Sequence, residues 1–462
     1  MKNNPVIILG AGITGLSAAW YLEKKGYTNI TILEEAPRAG GKIQTLDEDG
    51  FLVEKGPDSF VITKPYATNL IHELGLDDQL IYPKTNRFYI LKDGKLVNPP
   101  KGLNMMVPTD LRAFLDSDFF SWSAKHRILQ ESTAKPGLQE DEDESFADFI
   151  TRRFGVEMLD LYAAPLFTGI YATPSKELSL NAAFPQLRKM AQEYGSITRA
   201  IKKQPPPPAS SSSRSSFAGL KNGMQTLSDA LINQLKHTKI SLNTKVVKIE
   251  SIGGNEGSSE YKVSTEKGDS YTTDSLIITL PSNSLIGLIE NLSQKAADAL
   301  KTFSTSSSRI VTLAYKTDKL TEALLATGYV SAETEKNHVS SATWLSSKWE
   351  DRAPDGHILL RCFMGKNPET LTFSNDELIH AAHMEMSKML DLTEGPEHYW
   401  VQRWDAALPQ YKVGHLDRVN ALKEALKPLK GLVVTGSYLH GVGLPDCINQ
   451  GIQAAEAVSD KE

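Results

Sequence analysis

The chain has 462 residues, 40% of them hydrophobic and 23% charged, which is enough apolar material for a buried core in an ordinary globular protein. Its net charge of -6 excludes the broadly basic surface that a nucleic-acid partner needs, yet allows a local basic pocket for an acidic substrate. Its two cysteines, Cys362 and Cys447, exclude a disulfide framework and a cysteine-built zinc site, and they fit a cytoplasmic protein.

The run Asn3–Leu22 carries no charge and is long enough to span a bilayer, but Gly10, Gly12 and Gly15 interrupt it and Thr14 and Ser17 make it polar. It lacks the basic start and cleavage site of a signal peptide. It reads instead as a strand (6–9), a turn and a helix (13–25) stopped by Gly26. A second strand covers 30–33 and ends at Glu34, and a helix covers 65–75. From about 100 to 200 the pattern is mostly helical, with Ser145 as a cap behind the acidic loop 139–144. The segment 204–216 is a low-complexity Pro/Ser tract and is expected to be a linker. Strands follow at 240–249, 261–265, 276–280, 310–315 and 358–364, then a strand at 432–435 and a last helix opened by Pro445. The fold class is therefore α/β (α+β overall). A Rossmann-like domain is expected from 1–85, 217–280 and 400–462, a helical domain from 86–204 inserted in it, and a sheet-based substrate domain from 281–399.

The sharpest motif is Gly10-Ala11-Gly12-Ile13-Thr14-Gly15, placed between a strand and a helix, with Glu34 following 19 residues after Gly15. This is the context that dinucleotide binding requires. Gly10 permits the tight turn, Gly12 lets the backbone approach a pyrophosphate, and Gly15 lets helix and strand pack closely. The helix start offers free N–H groups and a positive dipole end. Glu34 is suited to a ribose hydroxyl and would repel a 2′-phosphate, which disfavours NADP. FAD and NAD remain open at this point.

The next residues, "EEAPRAGGKIQT", place Arg38, Gly40, Gly41 and Lys42 after the second strand. They resemble the R-x-G-G-[KR] signature of the flavin amine oxidase superfamily, where it lies over the cofactor's phosphates; a basic residue with two glycines suits close approach to an anion. Near the C-terminus, "GVGLPDCINQG" joins a glycine-rich loop to a helix whose N-terminal dipole would favour negative charge on a reduced flavin.

Several segments together resemble the bacterial protoporphyrinogen/coproporphyrinogen oxidase family. They are "GAGITGLSAAWYLEKKG", "APRAGGKIQT", "EKGPDSF", "PLFTGIYATPSKELSLNAAFPQL", "LKNGMQTLSDAL", "ILLRCFMGK", "RWDAALPQYKVGHLDRV" and "GVGLPDCINQG", spread over almost the whole chain. The resemblance implies FAD contacts at Gly10, Ala11, Gly12, Ile13, Thr14, Gly15, Glu34, Glu35 and Lys42. It also implies contacts at the Gly56, Pro57, Asp58 and Ser59 turn, at Val246 through its backbone, at Trp404, and at Val442, Gly443 and Leu444. It further implies oxidation of coproporphyrinogen III to coproporphyrin III, with molecular oxygen as acceptor and hydrogen peroxide as product. Two departures are visible: Thr173-Pro174 stand where the family usually has Gly-Asp, and Phe363 stands where relatives often have tyrosine.

No Ser/His/Asp triad, metal-ligand set or carboxylate pair stands out, and a flavin would carry the chemistry itself. A porphyrinogen with propionates calls for basic residues, so Lys64, just after "GPDSF", is the expected propionate contact, with Ile170 and Phe363 as apolar walls. The segment 119–129 mixes aromatic and basic residues as an interfacial helix does, which adds a weak peripheral membrane contact to the expectations; a buried helix with a charged outer face is the plainer account. The competing activities are protoporphyrinogen IX oxidation, another flavin oxidase reaction on amines or carotenoid precursors, and a non-catalytic FAD-binding role.

Overall fold

The opening strand Val6–Leu9 is the middle strand of a five-stranded sheet in the order Thr238–Ser241, Ile30–Leu33, Val6–Leu9, Ser275–Ile278, Leu432–Val434. Every neighbouring pair is parallel, with Val6 opposite both Ile30 and Ser275, and Leu9 opposite both Leu33 and Ile278. A parallel sheet is buried on both faces, which is why its inner strands Val6–Leu9, Ile30–Leu33 and Ser275–Ile278 are mostly apolar, while the edge strand Thr238–Ser241 is not. The two-residue pleat sorts those runs. Val6, Ile8, Ile30, Ile32 and Ile277 pack on one face with Leu16 and Leu22 of the opening helix Ile13–Lys24 and Ile448 and Ala455 of the closing helix Leu444–Ser459. Ile7, Leu9, Leu33, Leu276 and Ile278 pack on the other, with Leu285 and Leu300 from two short helices and Ile249, Tyr261 and Val263 from a three-stranded antiparallel sheet.

These elements belong to the first of two compact units into which this computed structural model divides: Met1–Tyr82, Ser216–Ser304 and Asp417–Glu462 form one, Pro83–Ser215 and Thr305–Leu416 the other. The structure describes residues 2–135, 142–203, 215–253, 260–316 and 322–459. The Pro/Ser tract expected to be a linker falls outside them except for Ser215 and Ser216, as does the acidic loop up to residue 141. The strand expected over 240–249 is two strands. Thr238–Ser241 ends in the parallel sheet, the chain turns at Asn243 (φ +51°), and Val246–Gly253 starts the antiparallel sheet.

The second unit carries a seven-stranded sheet in the order His398–Pro409, Thr305–Lys316, His357–Met364, Val339–Trp344, Gly328–Ser331, Tyr89–Lys92, Lys95–Val97. One face is covered by the helix Asn375–Leu390, whose Leu378, Ala382, Met386 and Leu390 pack on Val311, Leu313 and Leu360. Ser374 and Glu377 start that helix with a reciprocal capping box. The segment 86–204 thus begins with two strands of this sheet before its helices run from Leu111 to Lys203. Residues 281–304 lie in the first unit and 400–416 in the second. Ser145 caps the helix Phe146–Phe154 by accepting from the Asp148 amide at 3.0 Å. Trp122 opens the helix over 122–130 and is 71% exposed, while Phe119, Phe120 and Ile128 are buried. Among the described residues no helix is long and apolar enough to cross a membrane.

Candidate cofactor site

At the end of the opening strand the backbone turns through Gly10, whose φ of +100° disfavours any side chain. A Cβ there would also lie 2.7 Å from the Thr279 hydroxyl. That hydroxyl donates to the Leu9 carbonyl at 2.9 Å and to the Gly10 carbonyl at 3.2 Å, holding the turn against the end of the neighbouring strand. A Cβ on Gly15 would overlap the Gly10 carbonyl, so helix and turn meet backbone to backbone. Above Gly12 the situation is opposite: nothing lies within 4 Å of a Cβ. Gly12 caps a 12-residue helix with no acidic residue in its first turn and no side-chain cap bond. The first amides of a helix have no partner within it, so this open space faces N–H groups and the positive dipole end.

Glu34 ends the second strand with both carboxylate oxygens engaged: the Ala11 amide donates at 2.7 Å and the Ala36 amide at 2.9 Å. Each oxygen keeps a second lone pair, which is the capacity a ribose hydroxyl needs. The amides of Asn243 and Thr244 donate to the carbonyls of Ala36 (3.1 Å) and Glu34 (2.8 Å), which brings the chain just before Val246 to this end of the sheet. Val246 is half-buried and Glu35 is exposed.

The loop after the second strand lies along the glycine turn. Gly40 donates to the Ala11 carbonyl at 2.8 Å, and a Cβ on Gly41 would come within 3.1 Å of the Gly12 Cα. Arg38 donates to the carbonyls of Gly41 (2.9 Å) and Ile43, so its guanidinium shapes the loop from within. Lys42 is held below the ordinary lysine range by burial, with the neighbouring Cys447 opposing the shift. A Cβ on Gly56 would overlap the Lys42 carbonyl, which sets the turn Gly56, Pro57, Asp58, Ser59 directly against Lys42. Ser59 donates to Asp58 at 3.2 Å.

The closing segment completes the arrangement. Thr435 donates to the Ile278 carbonyl at 2.9 Å, and the chain then passes through Gly441 (φ +100°) into the closing helix. Gly451 of that helix lies on the backbone of Thr14. The Cys447 sulfur lies 4.0 Å from the Val442 carbonyl oxygen. Val442 and Gly443 are half-buried and Leu444 is buried. Lys64 meets Asp446 in an ion pair at 2.6 Å.

The first unit therefore holds Gly10 to Gly15, Glu34, Glu35, Lys42, Gly56 to Ser59, Lys64, Val246 and Val442 to Leu444. Ile170, Phe363 and Trp404 stand in the second unit. Ile170 is 57% exposed, on a short 3-10 turn before Ala172, which has positive φ. The Thr173 hydroxyl donates to the Tyr171 carbonyl at 2.8 Å and closes that turn. Phe363 lies in the strand His357–Met364 with the Arg361 guanidinium 4.7 Å from its ring centroid. Trp404 pairs with Ser308 next to a bulge. Thr279, Asp446 and Gln450 were missed from sequence. The last two sit inside "LPDCINQG", but nothing local says what they touch. Among the described residues no group of three His, Cys, Asp or Glu could hold a metal ion.

A parallel sheet whose first strand turns through glycines into a helix, with open space at Gly12 and an acidic residue closing the next strand, defines a dinucleotide-binding protein. The residues present fit such a group. The model of the family described as "Flavin containing amine oxidoreductase" matches residues 13–459, and the chain belongs to that family. It is a flavin-dependent oxidoreductase with FAD as its cofactor. The chain is 34% identical to a coproporphyrinogen III oxidase of Bacillus subtilis, over 98% of this chain and 97% of that one. It is 31% identical to a chloroplastic protoporphyrinogen oxidase of Nicotiana tabacum, over 98% and 85%. A crystal structure from Exiguobacterium, named as a candidate protoporphyrinogen oxidase, has a TM-score of 0.87 at 29% identity and full coverage of both chains.

Proposed function

We propose that the chain oxidises coproporphyrinogen III to coproporphyrin III, passing the electrons to molecular oxygen and releasing hydrogen peroxide. The observation that carries this reading is the end-to-end match to the Bacillus subtilis enzyme of that name. FAD supplies the two-electron acceptor for each dehydrogenation. The chain's own part is to bind and orient. The amides after Gly12 and the Lys42 ammonium hold the phosphates, Glu34 takes the ribose, and the backbone near Val246 meets the adenine. The turn Gly56–Ser59 and Val442–Leu444 complete the cofactor contacts of the first unit, and in the second unit Ile170 and Phe363 offer apolar surface to the macrocycle.

The free thiols support a cytoplasmic place of work. The exposed Trp122, with the Lys125 ammonium 4.3 Å from its ring centroid, supports a weak contact with a lipid surface. Co-sedimentation with anionic vesicles, lost in Trp122→Ala, checks the contact.

The deciding experiment is aerobic incubation with coproporphyrinogen III and, separately, protoporphyrinogen IX, followed by porphyrin fluorescence and peroxide release. Faster coproporphyrin formation is the expected result. Preference for protoporphyrinogen reassigns the substrate. Turnover of amines alone, or FAD binding with no peroxide, overturns the proposal.

A further inference from the structure

Lys64 and Asp446 are 382 residues apart and meet at 2.6 Å. The Lys64 side chain is half-exposed, whereas that of Asp446 is only 16% exposed. Asp446 stands in the first turn of a 16-residue helix, where the dipole favours its charge. Its carboxylate occupies the space beside two glycines: a Cβ on Gly441 would lie 2.6 Å from Oδ2, and one on Gly443 3.1 Å from it. Gln450, one turn further along and buried, holds the same loop by donating to the carbonyls of Gly441 (3.2 Å) and Asp446 (3.3 Å). The loop 441–443 thus rests on Asp446, and Lys64, from the far end of the sequence, balances that carboxylate.

We infer that Lys64 is a positioning residue for the cofactor loop: through Asp446 it sets Val442–Leu444 in place, and it is not the anchor for a substrate propionate. Drawing the ammonium away to a propionate would leave the mostly buried Asp446 carboxylate without its counter-charge, a cost that opposes such a contact. The inference rests on the reading that loop 442–444 lies beside the flavin, and it adds which residues hold the loop there.

The test uses the full chain with Lys64→Gln, Lys64→Arg and Asp446→Asn. Four quantities are measured: amide hydrogen exchange over 441–447 in flavin-free protein, the FAD dissociation constant, and kcat and KM for coproporphyrinogen III. Lys64→Gln and Asp446→Asn should each speed loop exchange and weaken FAD binding about three- to ten-fold, the range of a partly exposed ion pair at a helix start. They should lower kcat and leave KM close to the parent value, and Lys64→Arg should restore all three. A raised KM in Lys64→Gln with loop exchange and FAD affinity unchanged would return Lys64 to the substrate and overturn the inference, as would an Asp446→Asn variant equal to the parent. Failure of the parent to bind FAD would sink the functional reading instead, since loop exchange in the flavin-free variants still reports on the clasp.

Discussion

Gly451 of the closing helix lies against the backbone of Thr14 in the opening helix: a Cβ at residue 451 would overlap the Thr14 carbonyl and come within 2.9 Å of the Ser17 Cβ. The two helices that lie on one face of the parallel sheet are therefore as close as backbones allow. In a free helix, replacing glycine with alanine is stabilising by about 1 kcal/mol. Here the sign reverses. Gly451→Ala is expected to destabilise by about 1–3 kcal/mol, the usual cost of overpacking, and to shed flavin. Urea unfolding of the flavin-free chain and the visible absorbance of the purified protein check both.

Glu34 makes a second prediction because its carboxylate is already bonded to two amides before any ribose arrives. Glu34→Ala removes both acceptors at once and lets the Ala11 turn drift. A loss of about 1–3 kcal/mol is expected for amides left unpaired in a half-buried place, along with FAD affinity lowered about ten-fold, the equivalent of about 1.4 kcal/mol. Glu34→Gln, which keeps one oxygen, should fall between. Titration of each apoprotein with FAD decides; equal affinity in all three would remove Glu34 from the site.

The buried carboxylate of Glu131 in the second unit carries a stability prediction free of the cofactor. It takes the Arg153 guanidinium at 3.3 Å, the Ser196 hydroxyl at 2.8 Å, and the amides of Ile197 (2.7 Å) and Thr198 (2.9 Å), so it caps the helix Ile197–Lys203. Glu131→Ala would leave a buried guanidinium and a bare helix start. The expected cost is about 3–5 kcal/mol, read by denaturant unfolding, with FAD affinity of the surviving folded protein unchanged. A loss below about 1 kcal/mol, the level of a surface pair, would contradict it.

The Cys447 thiol is pushed up to about 11, chiefly by burial, with Lys42 drawing it down and Asp446 adding to the rise. Folding thus raises its pKa, so the folded chain keeps a proton that the unfolded chain has lost. Stability from this group is complete below the ordinary value of 9.0 and declines as pH rises towards about 11. Cys447→Ala should flatten that part of the stability–pH curve relative to the parent, and iodoacetamide labelling of Cys447 should accelerate only near the upper value. Labelling with a midpoint near 9 would show an accessible thiol instead.

What local pattern can encode was legible. The apolar run at 6–9 and the segment 30–33 announced strands, Gly26 and Gly75 marked helix ends, and Ser145 marked a helix start, because strands, turns and caps are made by residues a few positions apart. The strand misread over 240–249 failed for the same reason. Its two halves have similar composition, and only the sheets they join distinguish them.

By itself, then, the sequence determined the order of the elements, the glycine turn with its acidic partner, and the membership of the chain in a flavoprotein family. Only the tertiary structure decided that Thr279 braces Gly10, that Asp446 finds Lys64 across most of the chain, that Gly451 lets two helices touch, and that Trp404 stands in a different unit from Glu34. Local patterns follow from bonding between near neighbours, but which distant segments become neighbours is settled by how whole faces pack, and no short stretch of residues contains that information.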